Sequence, residues 1–410
     1  MNIKVNKTVF MDVLMAIFIV VSFFDQARES LPLNIFVIKM FAIVRDGLLI
    51  VLGFYYITKI KIIKNKIGIL TVICFTCGIV FSFFIGTLNG NNIGESLKTV
   101  WLYSKGIVVF LIFSKYISKD NFYFISRFIV YLGLVLVLFN FIISFFYSSM
   151  LKMLFSGGLR LTVGNSSIIS YIYFALFLLC DQIEINRNIV VNIACKAIYI
   201  FAILTTGTAT AYVVLLCYFG IKFALSDISK KIKYIVLLLT LGMFFSFLGA
   251  SNVVASKNEY VAYIISKIEQ VTEILNGTEL NNIGTLTARE LQKRIVRENM
   301  RAIDYIVGLG INGHRIYVSH LENFYYVLLY DFGFLIFACY ICVLVVSGIR
   351  DCLKKKVFKL GIVCSLAFYC YTLDFFRPYL TSFGVGLLFA ISQRYDDLIC
   401  NDNLLTSRVK

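Results

Sequence analysis

The chain has 410 residues, 60% of them hydrophobic and only 15% charged, with a net charge of +16 at pH 7 and a mean hydropathy of +0.85. A soluble domain carries nearer a quarter charged residues, so this composition excludes a water-soluble globular protein. Nucleic-acid binding is excluded as well: the basic residues cluster at the ends of apolar runs and form no patch interleaved with aromatics.

Apolar runs of about 20 residues are the signature of membrane-spanning helices. They recur here at 9–24, 34–57, 67–86, 99–117, 122–147, 165–181, 189–204, 208–225, 233–250, 322–347, 360–376 and 379–393. The expected fold is all-α: one polytopic membrane domain over 1–410, with about 12 transmembrane helices and one large loop, 251–321, containing short helices. Lys4 and Lys7 precede the first run as in a signal peptide. No small-x-small cleavage site follows, since Phe23-Phe24-Asp25-Gln26 is a poor one, so an uncleaved first span is expected. Lys59, Lys61, Lys64 and Lys66, Lys230, Lys231 and Lys233, and Lys354, Lys355 and Lys356 fall on alternate connections. The short connections between them hold only Arg28, Lys98, Lys152, Arg160 and Arg377. The positive-inside rule then puts both termini in the cytoplasm and the large loop outside.

Lys39, Arg45, Asp46, Lys105 and Lys196 lie inside apolar runs. A charge at the bilayer centre costs roughly 2.5–3.5 kcal/mol on insertion scales, so such residues are functional candidates by default. Snorkelling or pairing with a neighbouring helix is the bland alternative. Arg45 and Asp46 are adjacent and point about 100° apart on a helix, so they are not expected simply to neutralise each other. Cys74-x-x-Cys77 and Cys339-x-x-Cys342 sit mid-span and read as small hydrophobes rather than metal or redox pairs. Pro32 and Pro378 fall at span ends, so no span centre shows the interruption typical of transporters.

The large loop gathers both histidines, His314 and His320, with Arg289, Arg294, Arg297 and Arg301. Its apolar periodicity over 259–275 predicts an amphipathic helix ended by Asn276-Gly277. A second helix is predicted from the capping box Thr287-x-x-Glu290 to about Val307. Arg294, Arg297 and Arg301 would share one face of it and suit a polyanion, because guanidinium pairs bidentately with phosphate oxygens. A solvated face paired to Glu290, Glu298 and Asp304 is the alternative. Gly308-Leu309-Gly310-Ile311-Asn312-Gly313 spells the dinucleotide fingerprint but has no flanking βαβ unit, so a flexible turn is expected. Arg315, beside it, is expected to tolerate lysine. His320 and Glu322 stand at the membrane boundary, two groups able to take a proton from a hydroxyl near neutral pH. The loop at 148–165 presents Arg160 ahead of Gly164-Asn165. With no external Asp-x-Asp pair, a metal-held donor is not expected.

In these features the chain resembles the O-antigen polymerases and, more distantly, the O-antigen ligases. The likeness rests on the topology, Arg160 with Gly164-Asn165, Arg297-x10-Gly308, and Leu204-Thr205-Thr206-Gly207-Thr208. Where ligases carry His-[Asn/Ser/Gln]-x9-Gly, this chain reads Glu322-Asn323-x9-Gly333, which favours the polymerases. The resemblance implies a glycosyltransferase of the bacterial inner membrane. It would use no cofactor and no metal, joining O-antigen repeat units carried on undecaprenyl pyrophosphate at the periplasmic face for lipopolysaccharide biosynthesis. His320 or Glu322 would be the base, with Arg160 and Arg297 as further catalytic groups. Arg289, Arg294, Arg301, Asn323, Tyr325, Arg45 and Lys105 would bind substrate. The expected partners are the lipid-linked oligosaccharide, the bilayer and a chain-length regulator protein. A ligase, and a lipid-linked-oligosaccharide flippase or other transporter, are the alternatives.

Overall fold

The computed structural model describes residues 3–25, 35–57, 66–146, 165–183, 186, 188–229, 284–319, 321 and 323–406. Within them every regular element is a helix. In chain order these are α1 (Ile3–Phe23), α2 (Ile35–Ile57), α3 (Lys66–Leu88), α4 (Ile93–Tyr116), α5 (Phe122–Phe146), α6 (Ser166–Gln182), α7 (Ile189–Thr205) and α8 (Ala209–Leu225). The described part of the large loop holds α9 (Gly284–Asn299), α10 (Ala302–Val307) and a 3-10 turn at Gly313–Ile316; then come α11 (Phe324–Leu353), α12 (Val357–Thr372) and α13 (Tyr379–Thr406).

Among the described residues, the stretches Ile93–Tyr116, Phe122–Ser144 and Phe324–Leu353 can each cross a bilayer by length and composition, and six shorter apolar helices accompany them. Large apolar side chains such as Phe36, Phe54, Phe124 and Leu216 face outward, as they do where the surroundings are hydrocarbon rather than water. The chain is therefore an all-α protein whose apolar helices fit a membrane-embedded fold. The described helices overlap the sequence spans but overrun several of them: α1 begins at Ile3 rather than 9, α4 at Ile93 rather than 99, α11 ends at Leu353 rather than 347, and α13 at Thr406 rather than 393. The run at 233–250 and the amphipathic segment 259–275 lie outside the described residues.

Helix ends follow local chemistry. Asn165 caps α6 by accepting from the backbone of Ser167 (3.0 Å) and Ile168 (3.4 Å), and Asn92 caps α4 by accepting from Glu95 (3.1 Å). Between α7 and α8, Gly207 takes a positive φ of 63° while the Thr206 and Thr208 hydroxyls bond each other (2.9 Å). The Thr-Thr-Gly-Thr motif is thus a tight turn. The core gathers on α4, which packs along α13 and also meets α2 and α3.

Two expectations about the large loop fail. The second helix starts at Gly284, so Thr287 lies within it and cannot be its cap. It also does not run through to Val307, because Arg301 is extended (φ −79°, ψ 159°) and separates α9 from α10. The cause is Asp304, whose carboxylate accepts from the Arg301 backbone amide (2.9 Å) and bidentately from its guanidinium (3.0 and 2.9 Å). These bonds hold the Asp304 carboxyl below its usual pKa and raise that of Arg301. Asp304→Ala removes the cap and is expected to cost about 1 kcal/mol, read as a lower melting temperature of the purified protein. The exposed guanidinium contact adds little to that cost.

Candidate functional site

The glycine segment that reads as a flexible turn is a packed buried strap. Gly308, Gly310 and Asn312 all have positive φ (84°, 83° and 62°). A Cβ on Gly310 would fall on the backbone of Gly86 in α3, and one on Gly308 would meet the carbonyl of Asp331. The opposing wall is a π-helical turn at Leu328–Phe332 within α11. A π turn leaves carbonyls without their helical partners, and the strap supplies donors: Leu309 N to Tyr330 O (2.7 Å) and Gly310 N to Asp331 O (3.0 Å). Ser82 of α3 donates to the Asp331 carbonyl as well (2.8 Å). On the strap's other side, Asn312 donates to Thr99 Oγ1 (2.9 Å) and to Glu95 O (3.1 Å).

This clamp places His314 against Asp331. The carboxylate of Asp331 accepts from His314 Nδ1 (2.7 Å), from the His314 amide (2.9 Å) and from the Asn312 amide (3.1 Å). Both side chains are 2% exposed. With Nδ1–H given to Asp331, the neutral imidazole keeps its lone pair on Nε2, and that atom is buried with no hydrogen-bond partner among the described residues. Asn91 Oδ1 and Arg315 Nε, on neighbouring parts of the same cluster, are likewise unsatisfied. Unpartnered buried polar atoms are rare and call for an explanation; a bound polar ligand supplies one.

A second carboxylate completes the cluster. Asp374, in the turn between α12 and α13, accepts from Tyr103 Oη (3.2 Å) and lies 3.8 Å from the Arg377 guanidinium. Burial lifts its pKa to about 7, against the opposing attraction of His314 and the Tyr103 bond. Burial alone would lower the pKa of His314, but the charge and hydrogen bond of Asp331, with the charge of Asp374, more than offset it, so the pKa rises. Arg315 opposes that rise and pairs loosely with Glu95 (3.8 Å). It therefore sits in the cluster's electrostatic field.

The other sequence candidates fare differently. Arg160, Gly164, His320, Glu322 and the side chain of Arg289 lie outside the described residues. Arg294 and Arg297 are exposed on α9 and form no ion pair among the described residues. Arg301 is held by Asp304 and does not continue their stripe. Asn323 caps α11, accepting from the amides of Tyr325 (3.0 Å) and Tyr326 (3.4 Å), and the Tyr325 hydroxyl donates to Ala367 O (2.7 Å). Both thus have internal structural partners.

Arg45 and Lys105 do come together, through Asp46. Arg45 Nε bonds Asp46 (2.8 Å), Lys105 Nζ bonds it too (2.9 Å), and Arg45 also pairs with Asp25. Trp101 Nε1 donates to Asp46 (3.2 Å), and the Arg45 guanidinium lies 4.0 Å from the Tyr379 ring centroid. Arg45 and Asp46 do bond each other, but not simply: Arg45 also pairs with Asp25 and Asp46 with Lys105 of α4, which is the neighbouring-helix pairing named as the alternative. Long side chains bend back along the helix, so the 100° between their Cβ vectors does not keep them apart. Lys39 is exposed, and Lys196 pairs with Asp181 (3.1 Å).

Sequence reasoning missed Asp331, Asp374 and Tyr103. The signal was present for the two acids: each is a carboxylate within a predicted apolar span, subject to the same insertion cost that marked Arg45 and Lys105. Compared with known proteins, the chain matches no family model and no curated protein.

Proposed function

We propose that the chain is a membrane glycosyltransferase that polymerises undecaprenyl-pyrophosphate-linked O-antigen repeat units at the outer face of the inner membrane, with His314 as its base. The observation that carries this reading is the buried His314–Asp331 pair, in which His314 Nε2 has no partner among the described residues. The reading also includes the twelve-span topology with both termini cytoplasmic, and a chain-length regulator as partner.

In this scheme His314 Nε2 takes the proton of the acceptor sugar's hydroxyl as its oxygen attacks the donor's anomeric carbon. Asp331 fixes the tautomer and steadies the imidazolium that forms. The bond from the anomeric carbon to pyrophosphate breaks, and the bonding pair leaves with the phosphate. The exposed guanidinium groups of Arg294 and Arg297 suit that developing charge. The donor is already activated, so the chemistry requires no further energy source.

Two experiments test it. A deletion strain is expected to make lipopolysaccharide capped with a single repeat unit. Loss of a ligase would instead leave bare core with lipid-linked polymer accumulating, and loss of a flippase would trap single units on the inner face. Arg297→Lys keeps the charge but loses bidentate pairing, and is expected to shorten the polymer ladder at unchanged protein level. The buried Arg45–Asp46–Lys105 network favours a transporter as the second reading, because charged groups inside a bundle mark translocation pathways. Uptake of labelled lipid-linked units by vesicles decides between them.

A further inference from the structure

A cavity of about 240 Å³ runs between α3, α4, α11, α12 and α13. Its walls are apolar, with Phe110, Val343, Val363 and Phe389 among them, and its polar groups lie mainly at its two ends. At one end stands Tyr103, which donates to Asp374 and packs edge-on to Phe332 at 5.8 Å. At the other end stand Arg350, Asp351 and Lys359, close to the turn joining α11 to α12.

The direction of this groove decides what it holds. The His314 cluster uses the N-terminal end of α4 (Thr99), the N-terminal end of α11 (Asp331) and the α12–α13 turn (Asp374). The groove instead follows α11 from Tyr340 to Asp351 and α13 from Val385 to Gln393, away from those ends. Its charged mouth is therefore at the face of the bundle opposite His314. A lipid-linked substrate with its pyrophosphate beside His314 would bring its tail in from the other face, where Tyr103 and its aromatic neighbours stand. The mouth itself is lined by two basic groups, Arg350 and Lys359, and one acid, the buried Asp351, which holds Arg350 Nε at 3.3 Å; the adjoining turn adds Lys354, Lys355 and Lys356, of which Lys355 pairs with Asp227 (3.0 Å). An apolar slot beneath a basic rim is complementary to an anionic lipid.

We infer that this groove binds one acyl chain of an anionic phospholipid from the leaflet opposite the His314 site, with the lipid phosphate on Arg350 and Lys359. Tyr103 would meet the chain's methyl end, so an occupied groove would brace the ring that holds Asp374. The inference goes beyond glycosyl transfer and is read by lipid binding, so either can fail without the other.

The test is native mass spectrometry of the purified full-length protein, titrated with dioleoyl phosphatidylglycerol, dioleoyl phosphatidylcholine or undecaprenyl phosphate. One phosphatidylglycerol should bind per chain, about tenfold or more tighter than phosphatidylcholine. The double variant Arg350→Gln/Lys359→Gln should lose that preference, and Val363→Phe should reduce binding of both phospholipids by filling the slot. Should Val363→Phe fail to fold, judged by thermal unfolding, the charge variant still decides, since its side chains lie at the rim. Equal affinity for the two phospholipids, an unchanged preference in the double variant, or one-for-one displacement of phosphatidylglycerol by undecaprenyl phosphate would each overturn the inference.

Discussion

Replacing His314 with Gln should collapse the lipopolysaccharide ladder to a single repeat unit while the protein remains at its normal level in the membrane. Glutamine approximates the reach of the imidazole and can still donate to Asp331, but it cannot take a proton. A positioned general base contributes typically about 10²- to 10⁴-fold, and a polymer formed by many successive transfers falls away well before the rate reaches zero. Asp331→Asn should act in the same direction. Its amide can still accept on one oxygen, but it no longer steadies the imidazolium and offers a donor where His314 Nδ1–H needs an acceptor. A full ladder in both variants, at normal expression, would remove His314 from the mechanism and return attention to His320 and Glu322.

The pH dependence separates a catalytic His314 from a structural one. The groups facing the imidazole are Asp331 from α11, Asp374 from the α12–α13 turn and Arg315 beside it, and their net effect raises the pKa of His314. A base acts when neutral, so in-vitro transfer should rise with pH through that raised pKa and fall away on the acid side. Asp374, with a pKa of about 7, adds negative charge as it deprotonates and so favours the imidazolium. Asp374→Asn removes that charge, lowers the pKa of His314 and should move the acid limb of the profile to lower pH. A merely structural histidine would leave the limb where it is.

The sequence makes the helices legible because their signal is local. Apolar runs of the right length become helices, and Asn92, Asn165 and Asn323 end up as caps where a side-chain acceptor meets free amides. The site is not legible in the same way, because it is assembled from residues far apart in the chain. Tyr103, His314, Asp331 and Asp374 belong to four segments, and only the strap's passage across α3 and the π turn brings them together. His320 and Glu322 attract notice by proximity in sequence, whereas Asp331 is hidden inside a hydrophobic run. The glycine spacing was visible but ambiguous. The same letters fit a phosphate loop, a flexible turn or a backbone strap, and only the close approach to Gly86 distinguishes the last.

That close approach gives the second large effect. Gly310→Ala should sharply reduce the amount of folded protein and, with it, all polymer. Two costs combine at this position. Its φ of 83° is unfavourable for any residue with a Cβ, by about 1–2 kcal/mol. The new methyl would also meet Gly86 N and Cα, backbone atoms that can yield only if α3 and the strap separate, and overpacking of this kind costs about 1–3 kcal/mol. Separation would also break the Ile311 N bond to Ser82 O, which ties to α3 the strap that carries His314 to Asp331. Gly90→Ala is the matched control: Gly90 has nearly the same φ, 81°, but its added Cβ meets nothing within 4 Å. It should lower the melting temperature only by its conformational cost and leave the ladder intact. If the two variants melt alike, the strap is not pressed against α3 as described; a much larger loss at Gly310 assigns the difference to backbone contact, because the conformational penalty is common to both.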